Sequence, residues 1–125
     1  MTMDAYRIRR VLKDSQRTKT FHKYLYPGKS PILISDACRF LLENCESSFL
    51  FDAILKSQEL RILRDEPFQI WRLHQLSKDM SWILSCSSDS VKKPLFIHSI
   101  PFTSFPLQEI TIWVIQKAAL LPQER

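Results

Sequence analysis

Near Pro67 the apolar residues of this chain change their spacing, and no single kind of element accommodates both patterns. Upstream, Tyr6, Ile8, Val11 and Leu12, then Ala37, Cys38, Leu41, Leu42 and Cys45, then Phe49, Leu50, Ala53 and Ile54 recur mostly at three- and four-residue steps, as on the buried side of helices. Downstream of "RDEP", the runs Phe68–Leu76, Ser81–Ser87 and Leu95–Phe102 are short and rich in aromatic and branched residues. In the middle run Trp82, Leu84 and Cys86 point one way and Ser81, Ile83, Ser85 and Ser87 the other. The connections "SKDM" and "SDSVKKP" are short enough for hairpins, so the three runs read as an antiparallel meander.

The stretch after "TSFP" has two readings. Ile110, Ile112 and Val114 alternate as a fourth strand would, whereas Leu107, Ile110, Val114 and Ala118 fit a helix over 107–118. The branched residues at 110–112 and 114–115 favour the strand. The pattern predicts an α+β fold with N-terminal helices packed on one face of a three- to four-stranded antiparallel sheet. It reads as a single domain over 1–125: a basic N-terminal helix or arm at 1–30, a helical part at 31–66 and an antiparallel sheet at 67–125. Pro27-Gly28 marks a turn, Ser35 caps a helix beginning at Asp36, and "FHKYLY" before the turn fits either a helix or a strand. Asp52 and Lys56 are spaced as an i,i+4 ion pair, while a carboxylate in so apolar a run is alternatively a buried functional group.

Gly28 is the only glycine in 125 residues. Without clustered glycines there is no P-loop, no dinucleotide fingerprint and no nucleophile elbow, which disfavours most nucleotide-dependent chemistry. At this length a core needs no metal or disulfide to be stable. Three cysteines with no C-x-x-C spacing read as reduced thiols, and no run approaches the roughly 18 apolar residues of a membrane span. The first residues lack the apolar core of a secretory leader, so a cytoplasmic location is expected.

The net charge of +5 is uneven. Residues 1–30 carry eight lysines and arginines against Asp4 and Asp14, a balance of +6, which leaves 31–125 at −1. Arg7, Arg9, Arg10, Lys13, Arg17, Lys19 and Lys23 are therefore the candidates for contacting phosphates or an acidic partner, or they form a solvated face. No catalytic constellation and no metal site emerges. His22, His74 and His98 lack ligand spacing, although His74 and His98 would meet if their strands paired. Cys86 beside His74 or His98 would resemble a nucleophilic pair, but its inward position keeps a thiol protonated. Trp71, Trp82 and Trp113 are expected between sheet and helices rather than as a base-stacking platform with Arg72. Because the third run is apolar on both sides, Arg72, His74, Phe96, His98 and Ile100 are a candidate interface for a protein partner or a homodimer. The expectation is a non-enzymatic interaction or regulatory module, alternatively a nucleic-acid-associated protein, with no membrane partner and no small-molecule cofactor.

The order "SDACRFLLENCESSFLFDAI", "FQIWRL", "IPFTSFPLQEITIWV" and "LLPQE" resembles a family of small uncharacterised bacterial proteins, a domain of unknown function found in chromosomes and mobile elements. Its pattern has threonine-aspartate-glycine before a first long helix, then aromatic-leucine-leucine-aspartate, phenylalanine-glutamine-x-tryptophan, phenylalanine-proline-leucine and leucine-leucine-proline-serine-glutamate-tyrosine. Asp36, Leu50, Asp52, Phe68, Gln69, Trp71, Phe105, Pro106, Leu107, Leu121, Pro122 and Glu124 stand at matching positions, and the likeness runs from about Ile34 onward. Ala37 replaces the glycine, Gln116-Lys117 a glycine turn and Arg125 the terminal tyrosine, so the resemblance implies a weakened hairpin before Leu120 and a lost terminal aromatic. It implies a small bacterial domain, possible service to a mobile element, and no particular activity.

Overall fold

A computed structural model describes residues 4–14, 20–76, 81–88, 94–100 and 103–125. Four helices, α1 (Ala5–Lys13), α2 (Asp36–Asn44), α3 (Ser48–Ser57) and α4 (Arg61–Arg64), precede most of a seven-stranded sheet. The strands are β1 (His22–Tyr24), β2 (Ile32–Ile34), β3 (Phe68–Gln75), β4 (Trp82–Ser88), β5 (Phe96–Ile100), β6 (Glu109–Ile115) and β7 (Ala118–Leu120), in the spatial order β1-β2-β7-β6-β3-β4-β5. The fold is α+β, as the change of period implied, but the sheet has more strands than the three or four expected.

The meander β3-β4-β5 is antiparallel. The stretch 109–115 is a strand, and it returns to pair with β3 rather than extending the meander beyond β5. The extra strands come from segments too short to show a period. "FHKYLY" supplies β1, the "ILI" of the supposedly helical part supplies β2, and the chain after 115 supplies β7. β2 and β7 are the one parallel pair among the described strands, and Ser35 N–H donating to Ala119 O at 2.9 Å extends their ladder to the start of α2.

Alternation sorts the sheet into two faces. Gln69, Trp71 and Leu73, Trp82, Leu84 and Cys86, Ile112 and Val114, Ala119, and Ile32 and Ile34 are buried on the inner face. All but Gln69 form one hydrophobic core with Ile8 and Leu12 of α1, Cys38 and Leu41 of α2, Leu63 of α4 and four residues of α3. Those four, Leu50, Phe51, Ile54 and Leu55, are each at most 1% exposed and span more than one helix face. A flat seven-stranded sheet would separate its edges by about 29 Å, against a helix about 10–12 Å wide. Yet Tyr24 of one edge strand packs on Phe51 at 6.0 Å, while Phe96, His98 and Ile100 of the other edge line a groove with Phe49 and Asp52. The sheet thus curls around α3, and the polar strip Ser48, Asp52, Lys56 occupies the gap between its edges.

Gln116 and Lys117 join β6 to β7 with φ of 49° and 66°. Left-handed backbone costs about 1–2 kcal/mol for each such non-glycine residue. The tight hairpin forms nonetheless, helped by Gln116 N–H donating to Pro67 O at 2.8 Å.

Candidate functional site

The polar residues that drew attention in the sequence are mostly occupied by the fold. Glu124, 1% exposed, accepts from Ser35 Oγ at 2.6 Å, Leu121 N–H at 2.8 Å and Ala37 N–H at 3.2 Å. Ser35 Oγ in turn accepts from Cys38 N–H at 3.1 Å, so the carboxylate and the hydroxyl together satisfy the N-terminus of α2. Gln69 and Gln58 exchange amide hydrogen bonds at 2.8 and 3.0 Å, and Trp71 Nε1–H donates to Gln69 Oε1 at 2.9 Å. Gln58 also donates to Ile54 O at 3.0 Å, and Gln69 to Leu63 O at 3.4 Å and Glu66 O at 3.1 Å, which joins α3, α4 and β3 in one network. Asp36 Oδ1 lies 2.8 Å from His22 Nε2, and Arg39 Nη1 lies 3.2 Å from His22 Nδ1, which ties β1 to α2. Sequence reasoning had no signal for that contact, because its partners are fourteen residues apart. Arg125, where the resembled pattern has tyrosine, holds its guanidinium 5.4 Å from the centre of the Phe68 ring.

The three cysteines are buried, with thiols pushed up by loss of hydration to about 12 for Cys38 and Cys86 and about 11 for Cys45. Cys86 faces Trp71 and Phe96 in the register. His74 is on the opposite face of the sheet, and β4 separates its strand from that of His98, so the two histidines do not pair. Among the described residues no three of His, Cys, Asp and Glu gather as a metal site would require. No described helix is long and apolar enough to cross a membrane.

A groove of about 790 Å³ opens in the gap of the curled sheet. Its walls are Phe49, Asp52, Ala53 and Lys56 from α3 and Leu84, Phe96, His98 and Ile100 from β4 and β5, with Glu46 and Ser104 at one part of the rim. Asp52 does not pair with Lys56 as its spacing suggested. Its Oδ1 accepts from Tyr24 Oη at 2.6 Å, while the Lys56 ammonium lies 4.8 Å from the centre of the Tyr26 ring. Burial, with Asp52 adding to it, raises Tyr24 well above the usual phenol range, so the hydroxyl remains a donor. Ser104 Oγ donates to Glu46.

Among the described residues β5 ends the sheet, and its open side can be assigned residue by residue. The hairpin bond from Leu76 N–H to Ser81 O, at 2.8 Å, places 81, 83, 85 and 87 of the second strand toward β3. Trp82, Leu84 and Cys86 then address β5 through Ile100, His98 and Phe96. By the same alternation, Ile97 and Ser99 turn their N–H and C=O groups to the open edge. Ile97 is 62% exposed, the highest value for an apolar residue of the sheet.

A family model described as a family of unknown function (DUF6876) matches residues 7–125. The chain belongs to this family. No curated protein and no solved structure matches it. The DUF6876 match begins at Arg7, so all of α1 but Ala5 and Tyr6 lies within the family's domain, although the resemblance read from the sequence began at Ile34.

The expected interface of this DUF6876 member divides between two faces. Phe96, His98 and Ile100 share the inner face at the groove, whereas Arg72 and His74 are on the outer face, where Arg72 pairs with Glu109 at 3.1 Å. Trp71 and Trp82 are buried among core residues as expected, but Trp113 is outside, half-buried against Phe68 at 5.3 Å. Of the basic candidates, Arg7, Arg9, Arg10 and Lys13 are exposed on α1 and Lys23 is exposed on β1. Arg17 and Lys19 fall outside the described residues.

Proposed function

We propose that this protein is a non-enzymatic interaction module that receives an extended peptide at β5. The observation that carries the reading is the open edge of β5 alongside the groove. A strand added there would pair with the main-chain groups of Ile97 and Ser99. Its alternate side chains would enter the space between β5 and α3. Phe49, Ala53, Leu84, Phe96 and Ile100 give that space apolar walls, so apolar residues at every second position fit it. Tyr24 engages one oxygen of Asp52, and the other can accept from a cationic residue of the peptide. The occupation of Asp36, Gln69, Trp71 and Glu124 in holding the fold also supports a binding role over a catalytic one. A cytoplasmic, regulatory or mobile-element setting is part of the same proposal.

Ser99→Pro tests it. Proline at an outward-facing edge position removes one N–H from the open edge and none from the β4–β5 ladder. From a displayed library of ten-residue peptides, binders selected on the wild-type protein are expected to alternate apolar and polar residues. They should lose at least tenfold in affinity for Ser99→Pro, with the melting temperature unchanged. Selected peptides that bind Ser99→Pro as well as wild type, or a library that yields no binder, would overturn the reading.

A further inference from the structure

A second surface, remote from the β5 edge in its chemistry, has features of its own. α1 buries Ile8 and Leu12 and presents Tyr6, Arg9, Arg10 and Lys13 together, at the i, i+3, i+4 and i+7 positions of one face. With Asp14 these four side chains line a shallow depression of about 410 Å³. Arg9 and Lys13 also border a second groove of about 410 Å³, where Leu107, Gln108, Gln123 and Glu109, the last already paired with Arg72, form the facing wall. Several cations elsewhere have carboxylates beside them: Lys29 lies 3.0 Å from Glu59, Arg72 3.1 Å from Glu109 and Arg39 3.5 Å from Glu43. Among the described residues no carboxylate lies within ion-pair distance of Arg9, Arg10 or Lys13. Three cations within five residues therefore share one face, bordered by Asp14 and Glu109 but outside ion-pair distance of either, in the quarter of the chain that carries the whole charge excess.

Tyr6 decides what kind of anion suits this face. It is 70% exposed, set among the cations, and contributes little to the core. A duplex backbone makes no use of a projecting ring, because the bases of a duplex are stacked internally. An unpaired base can stack on it while the flanking phosphates meet the guanidinium and ammonium groups. Arg9 and Lys13 are one turn apart, about 6 Å along the axis, so they address successive positions along a strand. We propose that the α1 face formed by Tyr6, Arg9, Arg10 and Lys13 binds single-stranded nucleic acid, with the three cations on phosphates and Tyr6 stacked on a base. Nothing in the contacts selects a sequence.

The test is fluorescence anisotropy of the full chain with a labelled twenty-nucleotide oligo-dT and a mixed-sequence duplex of the same length, between 50 and 200 mM salt. Oligo-dT is expected to bind more tightly than the duplex, and log affinity should fall against log salt with a slope of about −2 for three phosphate contacts. The triple variant Arg9→Gln, Arg10→Gln, Lys13→Gln should lose at least tenfold at 50 mM and flatten the slope. Tyr6→Ala should lose about fivefold or more on oligo-dT while leaving the slope unchanged. A charge-preserving variant, Arg9→Lys, Arg10→Lys, Lys13→Arg, should bind like wild type, which separates loss of charge from loss of folding. Ser99→Pro should also bind like wild type, so the two proposals fail independently. Absence of binding at 50 mM, a triple variant as tight as wild type, or tighter binding of the duplex would overturn the proposal. So would competition by poly-glutamate with no effect of Tyr6→Ala, which would assign the face to an acidic protein.

Discussion

Glu124→Ala is expected to lower the unfolding free energy by about 3–5 kcal/mol, measured by guanidinium titration followed by far-ultraviolet circular dichroism. The carboxylate is the common acceptor for the Ser35 hydroxyl and the N–H groups of Leu121 and Ala37, all buried around it. Truncation strands these donors without water, at about 1–3 kcal/mol for each that finds no new partner. It also removes a negative charge from the N-terminus of α2, a smaller loss of about 0.3–1 kcal/mol. Ser35 itself caps Cys38 N–H, so the effect spreads into the first turn of that helix. Glu124→Gln keeps the volume but turns one donor toward donors, and should cost about half as much. A loss under 1 kcal/mol for Glu124→Ala would mean that this carboxylate is not holding α2, β7 and the C-terminal turn together.

Phe51→Ala is expected to cost about 3–5 kcal/mol, or about 10–20 °C in melting temperature. Phe51 has no exposed surface, and it touches Tyr24 from the edge strand β1 while its helix neighbours Leu50, Ile54 and Leu55 are equally enclosed. Sheet on more than one side of α3 leaves little freedom for the site to collapse around a cavity, which puts the cost at the upper end for aromatic truncations. Phe49→Ala, at the half-buried wall of the groove, should cost about 1 kcal/mol. A scan of both variants by differential scanning calorimetry separates a wrapped helix from one that packs on a single side. Comparable small losses at the two positions would contradict the curl of the sheet.

α3 also marks the limit of what the pattern of residues conveys. Reading one apolar stripe from "SFLFDAILKS" selects Phe49, Leu50, Ala53 and Ile54, and omits Phe51 and Leu55, although both are buried. The stripe rule assumes a single core side, whereas this helix has apolar residues nearly all round because sheet surrounds it. The alternation of Trp82, Leu84 and Cys86 was legible because β4 is a seven-residue strand paired on both sides, with a fully buried inner face. β1, β2 and β7 have three residues each, too few for a period of two to stand out from a chance arrangement. Only the resemblance pointed to the last hairpin, because neither Gln116 nor Lys117 belongs to the usual repertoire for positive φ. At the candidate site, His98, Phe96 and Ile100 were legible as a group from their strand, but their grouping with Arg72 and His74 ignored the face that each parity selects. Asp52 was noticed for its apolar setting, while its partner Tyr24 was beyond reach, twenty-eight residues away in a segment that fitted either a helix or a strand.

The most direct measurement is native-state amide hydrogen exchange by NMR on a sample shown by light scattering to be monomeric. An open β5 edge requires the amides of Ile97 and Ser99 to exchange rapidly, while those of His98 and Ile100, directed at β4, are protected. Equal protection of Ile97, His98, Ser99 and Ile100 in the monomer would mean that another part of the chain already covers this edge, and would contradict the account.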